Sequence, residues 1–265
     1  MIPRCLLVLS LLAATAWSQT AALVRLENSP RHHEWIAVDR GGRTVHAFVA
    51  YPEVAKRAMV VLVIHENRGL NDWARAVADR LAEAGYIAVA PDLLSGAAPG
   101  GGRTRDFPSA DAAREALGKL DAAEVLADLN AVADHARRLP AADGRLAVAG
   151  FCWGGTQAWR VAAARPDLVQ AHVFYGSPPA EAAAYAAIRC PVLGYYGGND
   201  ARINATIDQS AAAMRAAGKS FAPVIYEGAG HAFMRAGEEA DAASPNHQAL
   251  VAGWQRLLAA LAAER

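Results

Sequence analysis

The chain has 265 residues, enough for one large α/β domain with a sizeable core. Lysine plus arginine and aspartate plus glutamate each number 26, so no net field draws nucleic acid or a membrane surface, and neither is expected as a partner. The 54% hydrophobic fraction is inflated by alanine and does not imply membrane spans. The one long apolar run is N-terminal. Residues 1–4 are a short basic start, residues 5–14 an apolar core too short to cross a bilayer, and small residues follow at Ala16 and Ser18. This pattern predicts a signal peptide over 1–18, with export to the periplasm or beyond; an uncleaved anchor is the other reading. Cleavage leaves Cys152 and Cys190. A disulfide between them is disfavoured because the two are expected at opposite ends of parallel strands, beyond bonding reach. No Cys/His spacing suggests a metal site.

From residue 30 onward the chain reads as a single domain. Residues 34–38 and 44–51 look like two strands joined by a turn over 39–42. The continuous apolar run 59–64 suits a strand buried on both faces of a parallel sheet. It ends in His65, Glu66, Asn67, Arg68 and Gly69. Asn71 is placed to cap a helix over 72–84, which Gly85 stops. Residues 86–90 are the next buried strand. Residues 95–105 are rich in glycine and proline without periodicity, which predicts a surface loop near the site. A helical pattern covers 110–139, broken near Gly118. Strands follow at 145–149, 170–175, 191–196 and 221–226, with helices at 156–164, 180–187, 204–217 and 247–263. His46 and His172 fall on strand faces as structural residues. Strands alternating with helices after an antiparallel-looking start predict a doubly wound, mostly parallel sheet of about eight strands flanked by helices.

The chemistry is expected where the 145–149 strand meets Gly150, Phe151, Cys152, Trp153, Gly154 and Gly155. Strand, tight Gly-x-Cys-x-Gly turn and helix form a nucleophile elbow with cysteine in the usual serine position. A Cβ at Gly150 or Gly154 would collide where strand and helix pass closely. The helix N-terminus at Trp153 points partial positive charge at the sulfur, which predicts a favoured thiolate. A small buried cysteine in a glycine-rich turn is the competing reading. Asp200, after the 191–196 strand, and His231, after the 221–226 strand, sit at the same predicted sheet edge. The order Cys152, Asp200, His231 fits a nucleophile with a base and its orienting acid. The backbone N–H of Trp153 and an N–H in the loop after Ile64, most plausibly that of Asn67, are the candidate oxyanion donors. Glu66, a carboxylate at the same edge, is placed to hold the resting thiol's proton, or else to pair with Arg68.

The motifs His65-Glu-Asn-Arg-Gly69, Ala90-Pro-Asp-Leu93, Gly150 to Gly155, Tyr196-Gly-Gly-Asn-Asp200 and Gly228-Ala-Gly-His-Ala-Phe233 together resemble the dienelactone hydrolase family of α/β-hydrolases. The resemblance runs from about residue 34 to the C-terminus. It implies a cofactor-free opening of an enol-lactone ring by a Cys152, Asp200, His231 triad, with Glu66 holding the resting proton. Substrate-side roles are expected for Arg235, Arg68 and Phe233. Two positions depart from the family pattern: Gly96 stands where an arginine follows the Pro-Asp-Leu motif, and Ala232 where a serine follows the histidine. Arg103 and Arg105 are candidates to supply the missing cation. The expected molecule is a monomer acting on a small ester or lactone. A non-catalytic binding protein on the same scaffold, a redox protein, and an esterase or thioesterase with a different exported substrate are the other readings.

Overall fold

Two antiparallel strands, β1 (His33–Arg40) and β2 (Arg43–Ala50), open the sheet of the computed structural model, which describes residues 21–264. The predicted signal peptide over 1–18 lies outside the described residues. The strands are joined at Gly41 and Gly42, whose φ values of 59° and 92° suit the mirror-image turns that match strand twist. After β3 (Ala58–Ile64) come α1 (Asp72–Glu83) and β4 (Ile87–Pro91), then α2 (Ala110–Gly118), α3 (Ala122–Arg137), β5 (Ala142–Phe151) and α4 (Trp153–Ala164). The second half holds β6 (Leu168–Phe174), α5 (Ala182–Ala187), β7 (Val192–Gly197), α6 (Ala201–Asn204), α7 (Ile207–Ala216), β8 (Phe221–Tyr226), α8 (Phe233–Ala236) and α9 (Pro245–Ala262). The eight strands lie in the order β1-β2-β4-β3-β5-β6-β7-β8. β2 is antiparallel to both its neighbours, and every pairing from β4 onward is parallel.

The central strands are apolar on both faces because helices cover both. Along β3 the side chains alternate between two cores. Val61 and Val63 join Trp73 and Leu81 of α1 and Leu257 of α9 on one face. Val60, Leu62 and Ile64 join Leu129 and Val132 of α3 and Trp159 of α4 on the other. Each of these aliphatic side chains contributes about 1.5–3 kcal/mol when fully buried, so a strand with seven buried residues out of seven is fixed by packing alone.

The predicted start and stop of α1 are made as the sequence suggests. Asn71 Oδ1 accepts from the Ala74 N–H at 3.1 Å, and Gly85 takes φ 92° after α1. The break between α2 and α3 falls just past Gly118, where Asp121 starts a new helix by accepting from the N–H groups of Ala123 and Glu124. One expectation is corrected. The single helix predicted over 204–217 is two, α6 and α7. Asn204 turns its amide away to the carbonyls of Gly197 and Gly198, at 2.9 and 3.1 Å, and the chain leaves the helix there.

The glycine-rich stretch 95–105 is also more ordered than a bare loop. It carries two single 3₁₀ turns, Pro99–Gly101 and Thr104–Asp106. Buried Asp92 pins it: Oδ1 accepts from the Thr104 hydroxyl at 2.6 Å and Oδ2 from the Thr104 N–H at 3.0 Å.

Register places the site. Ile64 lies beside Gly150, Phe151 beside Phe174, Phe174 beside Tyr195, and Gly197 beside Tyr226. The parallel strands therefore end together, and their following loops carry Glu66, Cys152, Tyr175, Asp200 and His231 to one edge.

Candidate active site

Cys152 sits between β5 and α4 with φ 55° and ψ −115°, a conformation that non-glycine residues rarely adopt. The surroundings enforce it. The Cys152 N–H donates to the Phe174 carbonyl at 3.0 Å. A Cβ on Gly150 would strike the Gly154 backbone, and one on Gly154 would strike the carbonyls of Ile64 and His65. The crossing of strand and helix thus leaves no room to relax, and the sulfur stands clear of the sheet.

His231 Nε2 lies 3.1 Å from Cys152 Sγ, and His231 Nδ1 lies 2.5 Å from Asp200 Oδ2. A carboxylate only accepts, so Nδ1 carries the proton toward Asp200 and Nε2 is left to accept from the thiol. The loops holding these two residues are sewn to each other. The Gly198 N–H donates to the Tyr226 carbonyl and the Asn199 N–H to the Ala229 carbonyl, both at 2.8 Å. Asn199 Nδ2 reaches the Gly228 carbonyl at 2.9 Å, and the Gly230 N–H donates to Asn246 Oδ1 of α9 at 2.8 Å. Asp200 Oδ1 accepts from the Ile203 N–H at the start of α6, which holds the carboxylate rotamer. Ala232, with φ 59°, turns the chain directly after the histidine.

The backbone N–H groups of Trp153 and Asn67 are directed toward the sulfur and favour its thiolate. They do not make it a thiolate. Burial, followed by the negative charge of Glu66, outweighs them and pushes the Cys152 thiol up to about 11. The thiolate that the helix start favours is therefore not the resting form, and the sulfur rests as a thiol.

The role expected of Glu66 is corrected too. Both its oxygens are taken: the Tyr175 hydroxyl donates to Oε1 at 3.1 Å and Arg235 Nε donates to Oε2 at 2.9 Å. The thiol faces His231, so Glu66 acts on it by charge rather than by holding its proton. Its ion-pair partner is Arg235, not Arg68. Arg235, expected to face substrate, is committed through Nε to this pair. Phe233, also expected at the substrate, is wholly buried, packed against Tyr175 and Tyr226, because α8 turns that side chain into the core. Arg68 is half-buried in the wall of a neighbouring cleft.

Tyr175 is the residue that sequence reading missed. Its ring meets His231 edge-on at 5.0 Å, its hydroxyl holds Glu66, and its φ of 40° shows a backbone bent to fit. The available signal was its place at the C-terminal end of a parallel strand, at the edge where the other site residues gather. His65, neighbour to Glu66, is wholly buried and stacked on Trp153 with ring centroids 5.6 Å apart. Burial lowers its pKa, so it packs as a neutral ring. Cys190, two residues before β7, is a free thiol like Cys152, and no disulfide joins them.

Residues 45–264 match the model of the dienelactone hydrolase family. The chain belongs to this family. A "Putative carboxymethylenebutenolidase" of Salmonella typhimurium is 35% identical over 230 residues, covering 82% of each chain. The "Carboxymethylenebutenolidase" of Pseudomonas putida is 32% identical over 199 residues, covering 73% of this chain and 82% of that one. Among solved structures, a "Putative Dienelactone Hydrolase" from Klebsiella pneumoniae superposes with a TM-score of 0.76 at 31% identity, covering 88% of this chain and 98% of the other. As a dienelactone hydrolase family member, the chain is a hydrolase of carboxylic ester or lactone bonds, with the α/β-hydrolase fold.

Proposed function

We propose that this hydrolase opens a small lactone or ester through Cys152 as nucleophile, with His231 as general base and Asp200 as its orienting group. The observation that carries the reading is the unbroken line from Asp200 Oδ2 through both His231 nitrogens to Cys152 Sγ.

His231 Nε2 takes the Sγ proton as the sulfur bonds to the carbonyl carbon. The carbonyl oxygen becomes an oxyanion held by the N–H groups of Trp153 and Asn67; losing one such donor costs about 3 kcal/mol of barrier. The ring or ester C–O bond then breaks, and the departing oxygen takes the proton back from His231. That leaves a thioester on Cys152. Water gives a proton to His231 and its oxygen to the acyl carbon, the C–S bond breaks, and the thiol recovers its proton. The high Cys152 pKa fits this sequence: the sulfur rests as an unreactive thiol and is deprotonated only as attack begins. The names of the curated relatives, which specify an enol-lactone, support a lactone as the natural substrate class.

In the test, Cys152→Ala and wild type are assayed on an enol-lactone and on an activated ester, with thermal melting as the folding control. The variant is expected to fall at least 10³-fold in kcat, and trapped wild type to carry an acyl mass on Cys152. Retained turnover in a folded Cys152→Ala protein overturns the reading.

A further inference from the structure

The two backbone N–H groups beside the sulfur come from different settings. That of Trp153 opens α4, where the helix frame and the glycine crossing fix its direction. That of Asn67 belongs to the peptide group joining Glu66 to Asn67, just past the end of β3. No ladder extends there, and among the described residues the Glu66 carbonyl accepts from no backbone N–H. A side chain holds it instead. His65 Nδ1 lies 2.7 Å from the Glu66 carbonyl oxygen. A carbonyl only accepts, so Nδ1 carries the proton.

In a trans peptide the C=O and the N–H point in opposite directions across one rigid plane. Fixing the Glu66 carbonyl therefore fixes the Asn67 N–H, which is directed toward Cys152 Sγ. Donation to the carbonyl also polarises the peptide group and makes the N–H at its other end a stronger donor.

The surroundings of the ring separate this role from filling space. The imidazole is wholly buried. Its Nε2 meets no hydrogen-bond partner among the described residues. An unpaired buried lone pair is unfavourable, and an apolar side chain would fill the same volume without one. The polar link the ring does make is the one to the Glu66 carbonyl. Its face lies nearly parallel to the Trp153 indole, with 9° between the planes. One side chain thus touches the residue that supplies one donor and the peptide group that supplies the other.

We infer that His65 is a positioning residue for the hydrolysis, aligning and polarising the Asn67 N–H through the Glu66 carbonyl while its ring braces Trp153. The inference rests on the hydrolase reading above. The ring moves no proton itself, because burial keeps it neutral and Nδ1 is occupied. An alignment that matters most when the carbonyl oxygen takes on charge acts on kcat rather than on KM.

Three variants test it. His65→Asn sets an amide N–H near the place of Nδ1 and keeps the donor without the ring. His65→Phe keeps a flat ring beside Trp153 and removes the donor. His65→Met removes both and serves if the phenyl ring does not fit. Each is melted as a folding control and assayed on an activated ester. The donor-free variants are expected to lose about 10- to 100-fold in kcat, less than complete loss of an oxyanion donor at its most severe, with KM within about threefold of wild type. His65→Asn should recover most of that kcat. A second readout needs no substrate. The Asn67 N–H also favours the Cys152 thiolate, so iodoacetamide at pH 8 should label Cys152 about threefold more slowly in the donor-free variants than in wild type or His65→Asn. Full kcat in a folded donor-free variant, or a loss in His65→Asn as large as theirs, overturns the assignment. If wild type cleaves no lactone or ester, the hydrolase reading fails by itself. The labelling rates then decide whether His65 aims the Asn67 N–H: slower labelling without the donor upholds it, and equal rates reject it.

Discussion

At the sulfur of Cys152, two backbone donors and a helix N-terminus are set against burial and the Glu66 carboxylate, and burial is the larger effect. The folded thiol therefore titrates near 11, above the unperturbed value of about 8.5. A raised thiol pKa means that the folded protein holds its proton through that window. Thiolate chemistry is scarce at neutral pH and grows as pH climbs toward 11, and the stability contributed by the held proton is lost over the same rise. Alkylation by iodoacetamide, followed by mass spectrometry of the Cys152 peptide, should accelerate about tenfold per pH unit from pH 7 to pH 10 without levelling off. A plateau near pH 7 would show a resting thiolate instead. Much of this site was legible in the sequence: Cys152, Asp200 and His231 each follow a strand, and strand ends in a parallel sheet share an edge. The neighbours that set the charge were not. Glu66 meets Tyr175 and Arg235 across 109 and 169 residues of chain, and nothing local to any of the three says which way its side chain turns. The helix at Trp153 was readable, and the depth at which the sulfur sits behind it was not. That depth reversed the protonation expected from the dipole alone.

At the scale of the element, the elbow works because β5 and α4 cross at glycines. Gly150 and Gly154 both face backbone atoms that have no rotamer by which to retreat. Gly154→Ala should cost at least about 2 kcal/mol through forced backbone displacement, and the same shift should move the Trp153 N–H out of line with the Cys152 sulfur and lower kcat. Gly118→Ala is the control. It lies at the end of α2 with open space where a Cβ would go, so the added methyl should be neutral or stabilising by up to about 1 kcal/mol. Urea unfolding of both variants checks the contrast; equal effects would mean that the crossing is not tight. Central elements were predictable because an all-apolar strand or a capped amphipathic helix has one stable place in a layered fold. The split between α6 and α7 was not, because it depends on Asn204 finding carbonyls in the preceding loop rather than on its own helical neighbours.

Across the whole molecule, the edge of the sheet that carries Trp35 is anchored by one buried carboxylate. Asp79, on α1 and fully enclosed, accepts from the Ser29 hydroxyl at 2.5 Å and from Arg31 at 2.7 and 2.8 Å. It also contacts Arg25 at 2.8 Å and His33, the first residue of β1, at 2.9 Å. The segment before the sheet and the start of β1 are thereby tied to the helix covering β3 and β4. Burial alone would raise the Asp79 pKa, but the hydrogen bonds from Arg31, Ser29 and His33 together outweigh it and hold the carboxyl far below the usual range. A depressed carboxylate pKa gives stability that is fully present above the unfolded value of about 4 and is lost as pH falls through the folded value. Asp79→Asn keeps the shape and removes the charge. At pH 7 it should lose about 2 kcal/mol, less than for a wholly enclosed ion pair because Arg25, Arg31 and His33 keep partial access to water. The gap between wild type and variant, measured by urea unfolding, should then narrow as pH is lowered from 5 to 2. A gap of the same size at both ends of that range would show that Asp79 holds this edge by shape alone.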